Sequence, residues 1–178
     1  MARVVKRRRS GEHLAEAFRQ AMRQFAATVT VVTTGDRERR FGITATAVTS
    51  AAMEPPSLLV CINRSASMHG PLTELGRFCV NILKTGQENV SRAFGGGCRQ
   101  EDRFASDQWV IDDCGVPFLP AAQTVVFCKT AQSVECGTHT IFIGEVQRVL
   151  VQPEIAPLLY CNGVFGALET SGDRSRIA

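Results

Sequence analysis

Between Phe41 and Asn63 the chain reads FGITATAVTSAAMEPPSLLVCIN, and its hydroxyl groups are spaced as a ligand-binding surface requires. Thr44 and Thr46 fall on one face of an extended strand, with Ala45 and Ala47 on the other. Thr49 and Ser50 continue the run, and no acid follows Gly42 until Glu54. Gly42 lacks a Cβ, so other groups can approach its backbone closely. Short hydroxyl donors without a neighbouring acid suit an anionic, oxygen-rich ligand. Pro55 and Pro56 end this segment and aim the next strand, Leu58 to Ile62, whose apolar run belongs inside a sheet. That strand delivers Asn63, Arg64, Ser65 and Ser67, a polar cluster with a guanidinium that suits a phosphate. A buried hairpin with ordinary Ser/Thr turns accounts for the same residues, and the stretch alone leaves both readings open.

His139 is the other residue able to do chemistry. Within GTHTIFIGEV it shares a strand side with Ile141 and Ile143, where a lone histidine is by default a satisfied core side chain. Seven cysteines are spread without a C-x-x-C pair, which argues against a disulfide framework or a structural zinc site. Most of them read as small buried hydrophobes, with Cys98 and Cys114, near glycines, the two open to oxidation. No strand leads into G-x-G-x-x-G and no G-x-x-x-x-G-K-[ST] occurs, so neither a Rossmann fingerprint nor a P-loop is present.

The elements that must position these groups follow from periodicity. GEHLAEAFRQAMRQFAA, after a possible cap at Ser10, is an amphipathic helix with Leu14, Phe18, Ala21, Met22 and Phe25 on the face that should lie on a sheet. TVTVVTT is strongly β-forming, Gly35-Asp36 turns it, and Arg37 to Arg40 form an exposed hairpin tip. A short helix over residues 67–75, broken by Gly70 and Pro71, and a strand over 77–83 come next. Thr85 with Glu88 has the spacing of a capping box, so a helix should open at Thr85. The triplet Gly95-Gly96-Gly97 should end it in a mobile loop. Strands follow over 123–133 and 136–150, with a closing strand pair or a single strand with a glycine bend over 157–168.

Six or so strands separated by turn signals, with few short helices, predict a mainly β antiparallel barrel. The domain should run over residues 11–169, between a disordered basic arm (1–10) and a disordered tail (170–178). The arm holds Arg3, Lys6, Arg7, Arg8 and Arg9, which takes the formal charge from +3 overall to −2 on the rest of the chain. A nucleic-acid partner is therefore not expected, since positive charge should then sit on the fold. No apolar run approaches the ~20 residues of a membrane helix, and the start is not a secretory signal, so a cytoplasmic protein without membrane contact is expected.

FRQAMRQFAATVTVVTT, GITATAVTS, EPPSLLVCIN, FCVNIL, DRF, GVPFL, GTHTIFIGEV and PLLYCNGVF, in this order, resemble the flavin reductase-like family with an FMN-binding split barrel. The resemblance runs from about Phe18 to Leu168. It implies a six-stranded Greek-key split barrel with a few flanking helices, usually a homodimer, that uses NADH or NADPH to reduce FMN or FAD. Such chains are the small reductase components of two-component flavin monooxygenases and pass reduced flavin to the partner oxygenase. By the same resemblance the flavin meets Thr44, Ala45, Thr46, Ala47 and Thr49, then Cys61, Ile62, Asn63, Ser65 and Ser67, and finally Ser91 and Phe94. His139 is implied as the catalytic residue beside the nicotinamide, with Phe165 and Arg103 contributing to the same subsite. On its own residues Arg103 is read either as a pyrophosphate ligand or as a surface partner of Asp102, the surface pair being favoured. Ala47-Val48 stands where relatives have Ser-Phe, and Met68 where Thr is common, so FMN against FAD stays open. The alternative is a flavin-binding or flavin-storing module without nicotinamide turnover. A pyridoxamine phosphate oxidase on the same barrel would need an added basic phosphate site, which the sequence lacks.

Overall fold

Val31 and Val32, neighbours on one strand, point to opposite sides of the sheet, and each is completely buried. That is the signature of a wall with a core on both faces. The computed structural model describes residues 12–106 and 108–169, so the proposed arm and tail lie outside the described residues. After helix α1 (Glu12–Arg23) come β1 (Ala27–Thr28), β2 (Thr30–Gly35), β3 (Arg40–Ala45), β4 (Val48–Met53) and β5 (Pro56–Asn63). Helix α2 (His69–Leu75) leads to β6 (Arg77–Ile82), and α3 (Glu88–Arg92) runs into a π-helical turn (Ala93–Gly97) and a 3-10 turn (Gln100–Asp102). The chain closes with β7 (Val110–Ile111), β8 (Pro117–Phe118), β9 (Thr124–Cys136), β10 (His139–Val151), β11 (Leu158–Cys161) and β12 (Val164–Ala167).

The main sheet has seven strands in the order β3-β2-β6-β9-β10-β5-β4, and every pair is antiparallel. Its two edge strands, β3 and β4, are separated only by Thr46 and Ala47, so they are halves of one bent pass. The sheet thus wraps into a barrel that the chain crosses six times, and the β5-to-β6 connection through α2 gives the Greek-key order. The barrel is split beyond the bend, between β3 and the end of β5. Val32, Val60, Ile62, Met68, Leu72, Phe78, Val80 and Phe142 fill its interior. A second core outside the wall joins Val29, Val31 and Cys79 to Phe94, Phe104, Trp109 and Leu158. Buried Asn81 ties the layers together, donating Nδ2–H to the Val31 carbonyl (2.9 Å) and accepting Leu119 N–H (2.7 Å).

Several local expectations need correcting. Gly70 and Pro71 do not break the short helix, since a single helix, His69–Leu75, runs through both residues. Phe18, Met22 and Phe25 are 63%, 48% and 72% exposed, so the apolar face of α1 does not lie on this chain's own sheet. Thr85 does not cap a helix. Its N–H and hydroxyl both go to the Ala156 carbonyl (2.9 and 3.3 Å), and α3 starts three residues later, at Glu88. The glycine triplet is a formed turn in which Gly96 has φ +99° and a Cβ on Gly97 would lie 2.6 Å from the Arg92 carbonyl oxygen. The sequence sees three flexible residues where the fold needs three small ones. At the hairpin tip, Arg39 pairs with Asp36 (2.8 Å) and Glu74 (3.4 Å).

Only Cys79 and Cys128 are buried among seven free cysteines, and Cys114 and Cys136 are exposed. Cys98 is half-buried with its thiol directed to the Ala93 carbonyl (3.4 Å). Burial pushes the Cys79 thiol well up and the Cys128 thiol up to about 12. Titration with a thiol reagent at neutral pH should therefore label Cys114 and Cys136 first and leave Cys79 and Cys128 unlabelled until the protein is unfolded, because the thiolate is the reactive form.

Candidate functional site

The split leaves two strand edges facing each other without a ladder between them. On β3 the carbonyls of Arg40 and Gly42 point away from β2, as their side-chain partners Gln100 and Arg103 show. Thr44, two residues further on, presents its backbone N–H and C=O to the same side by strand alternation. On β5 the last rung toward β4 is Cys61 N–H to the Ala47 carbonyl (3.1 Å). Asn63, two residues beyond, presents its N–H to that side where β4 no longer runs. The Thr44 hydroxyl donates to the Ser91 carbonyl (2.6 Å), docking the end of α3 on this edge.

A cavity of about 600 Å³ opens beside Thr44, lined by Val29, Thr46, Ser91, Arg92, the glycine turn Gly95–Gly97, Tyr160 and Phe165. The Tyr160 and Phe165 rings meet edge-on at 5.5 Å, and the Arg92 guanidinium lies 5.2 Å from the Phe165 ring centre. Among the described residues no carboxylate lines this cavity. A second groove of about 600 Å³ lies at the end of the barrel away from α2. It is bounded by Phe25, Thr46, Thr49, Met53, Leu58, Ile82 and Val146, so Thr46 borders both and Thr49 only the second. At the β5 end, Asn63 Oδ1 accepts Ser65 N–H and Oγ–H (2.9 Å each), and the Ser67 hydroxyl donates to Gln100 Oε1 (3.1 Å).

With a cleft of this size and polarity in place, the comparisons with known proteins become specific. A family model described as "Flavin reductase like domain" matches residues 22–169. This chain belongs to the flavin reductase-like family. It is 43% identical over 164 residues to the reductase component of FADH(2)-dependent resorcinol hydroxylase from Rhizobium sp. strain MTP-10005, covering 90% of this chain and 91% of that one. It is 46% identical over 144 residues to the FMN reductase (NADH) RutF of Pseudomonas syringae pv. syringae strain B728a, covering 81% of each. Among solved structures, NADH:FAD oxidoreductase SgcE6 of Streptomyces globisporus C-1027, in complex with NAD and FAD fragments, superposes with a TM-score of 0.86 at 32% identity, covering 97% of this chain and all of that one.

In this flavin reductase-like chain the site residues read from sequence fall into groups. Thr44, Thr46, Ser91 and Phe165 line the first cavity. Ala47 and Cys61 are joined at the head of the split, and Asn63, Ser65 and Ser67 form its far lip. Burial, with a smaller contribution from Cys136, pushes the Cys61 thiol up, so it adds no negative charge there. Ala45 and Ile62 face the barrel interior, and Phe94 is 1% exposed in the outer core. For Ile62 and Phe94 only the backbone can meet a ligand. Met68 is also wholly buried. Arg64 pairs with exposed Glu135 (3.2 Å) and donates to the Gly137 carbonyl (2.8 Å).

Of the three residues assigned to one nicotinamide subsite, Phe165 alone lines the cavity beside Thr44. His139 sits on the outer barrel face between its cross-strand neighbours Asn63 and Cys136, and it does not line the cavity that holds Phe165. Arg103 donates to the Gly42 carbonyl (2.9 Å) and Gln100 Oε1 (2.7 Å), while Asp102 pairs with Arg99 (3.2 Å). The expected pair between Arg103 and Asp102 is thus replaced by contacts along the strand edge. Arg92, Tyr160 and Gln100 stand outside the residues expected at the site. Arg92 adjoins Ser91 and could have been found as the one cation in that segment; nothing local marks the other two.

Proposed function

We propose that this chain is an NAD(P)H:flavin oxidoreductase, which moves a hydride from reduced nicotinamide to FMN or FAD and supplies reduced flavin to a partner monooxygenase. The observation that carries the reading is the split itself. Its unladdered N–H groups at Thr44 and Asn63, flanking hydroxyls, aromatic wall and acid-free lining fit a flat heterocycle with an oxygen-rich chain. Bound flavin supplies the hydride acceptor, so the protein needs no nucleophile. Backbone donors fixed along the split suit the polar edge of the heterocycle and oppose negative charge developing there. Val29, Tyr160 and Phe165 form one wall of the cavity. The relatives support the pairing of reactants, since one is named for FADH(2), one for FMN with NADH, and one structure holds NAD and FAD fragments.

His139 is assigned to positioning the nicotinamide. Its Nδ1 is held by the Thr138 hydroxyl (2.9 Å), which leaves Nε2 for a ligand. His139→Ala should raise the nicotinamide KM or slow flavin reduction while flavin affinity stays unchanged. Lost flavin affinity would instead place the ring with Asn63 on the flavin chain. The exposed face of α1 and the apolar groove beside Phe25 and Met53 suit coverage by a second copy, as a homodimer. Among the described residues no helix is long and apolar enough to cross a membrane.

The deciding experiment is anaerobic mixing of the protein with FMN or FAD and then NADH or NADPH, following loss of visible flavin absorbance. Rapid bleaching establishes the activity and identifies the preferred pair. Flavin binding with no bleaching by either nicotinamide would favour a flavin-storing module.

A further inference from the structure

Gln100 bridges the two lips of the split. Its Nε2 donates to the Arg40 carbonyl on the free edge of β3 (3.2 Å), and its Oε1 accepts both Arg103 Nη1 (2.7 Å) and the Ser67 hydroxyl (3.1 Å). Arg103 carries the same clasp to the next edge carbonyl, that of Gly42 (2.9 Å). The amide orientation is dictated by its partners, because an arginine can only donate and a carbonyl can only accept. The direction of the Ser67 bond follows. The hydroxyl has one hydrogen, it is spent on Gln100, and what Ser67 offers a ligand is lone pairs. A phosphate needs donors, whereas a ribityl hydroxyl can donate.

We propose that Gln100 is a positioning residue for flavin, holding Ser67 as a hydrogen-bond acceptor for the hydroxyls of the ribityl chain. The inference rests on the flavin reductase reading and adds to it which part of the ligand Ser67 serves and what orients it.

The test is flavin titration of the whole protein, by quenching of flavin fluorescence, with three probes: FMN, riboflavin, which keeps the ribityl chain without phosphate, and lumiflavin, which has neither. Gln100→Leu should raise the Kd of riboflavin and of FMN by the same factor, about five- to tenfold for one or two lost hydrogen bonds, and leave lumiflavin unchanged. Gln100→Glu keeps an acceptor for Ser67 and Arg103 and should bind riboflavin within about twofold of the parent. In a Ser67→Ala background, Gln100→Leu should have no further effect on riboflavin. The proposal is overturned by an unchanged riboflavin Kd in Gln100→Leu, by a loss confined to FMN, which would assign Ser67 to phosphate, or by an equal loss for lumiflavin, which would mean general loosening of the cleft. If the parent protein binds none of the probes, the flavin reductase reading itself falls and the inference with it.

Discussion

Phe94→Ala should lower folding stability by about 3–5 kcal/mol, at the upper end for a single side chain. The ring is 1% exposed, and its centre lies 5.0 Å from those of both Phe104 and Trp109, crossed at 83° and 51°. Phe104 and Trp109 in turn meet at 5.2 Å, so three rings share edges and faces in one cluster. Aromatic pairs of this kind add to simple burial, and truncating the central ring leaves a cavity that the barrel wall cannot close. Denaturant unfolding followed by the fluorescence of Trp109, the single tryptophan, reads the loss directly. The experiment also separates two roles for the residue. A side chain that contacted flavin would leave stability nearly intact on truncation and lower affinity, and a loss below about 1 kcal/mol with sharply weakened flavin binding would restore that role.

Phe94 also shows where sequence reading stops. The amphipathic spacing of α1, the β-forming run before Gly35 and the proline stop at Pro55-Pro56 are local signals, and with the ordered family motifs they suffice for the antiparallel barrel. The Phe94 cluster is assembled from segments that only the fold brings together, and no period in the chain marks it. Gln100 is illegible for the same reason, since its bonds reach 60 residues back to Arg40 and 33 back to Ser67. The apolar face of α1 was legible as a face, but nothing among the described residues covers it. Composition misled at Gly95–Gly97, where small size serves close packing on Arg92 and a left-handed φ at Gly96. At Gly42 the inference from a missing Cβ to close approach holds, and Phe94 is the group that approaches.

Gly42→Ala follows from that contact. A Cβ built on Gly42 falls 2.6 Å from Phe94 Cε1, 2.8 Å from Cδ1 and 3.2 Å from Thr33 Cγ2. The ring cannot retreat freely, because Phe104 and Trp109 pack against it, and the Gly42 backbone is held by Arg103. Overpacking of this kind costs about 1–3 kcal/mol, to be read as a lowered denaturation midpoint with an unchanged slope. The strain should be relieved in part by a smaller, more pliable neighbour. Phe94→Leu combined with Gly42→Ala should be less destabilising than the sum of the two changes by about 1 kcal/mol, a coupling expected only of residues in contact. Because Gly42 also anchors Arg103, and Arg103 anchors Gln100, the single change should weaken flavin binding as well. The double variant should recover stability more than affinity, since the clasp depends on the position of the Gly42 carbonyl and not on the volume of the ring behind it. Strict additivity would mean that the β3 edge shifts to admit the methyl group without disturbing Phe94.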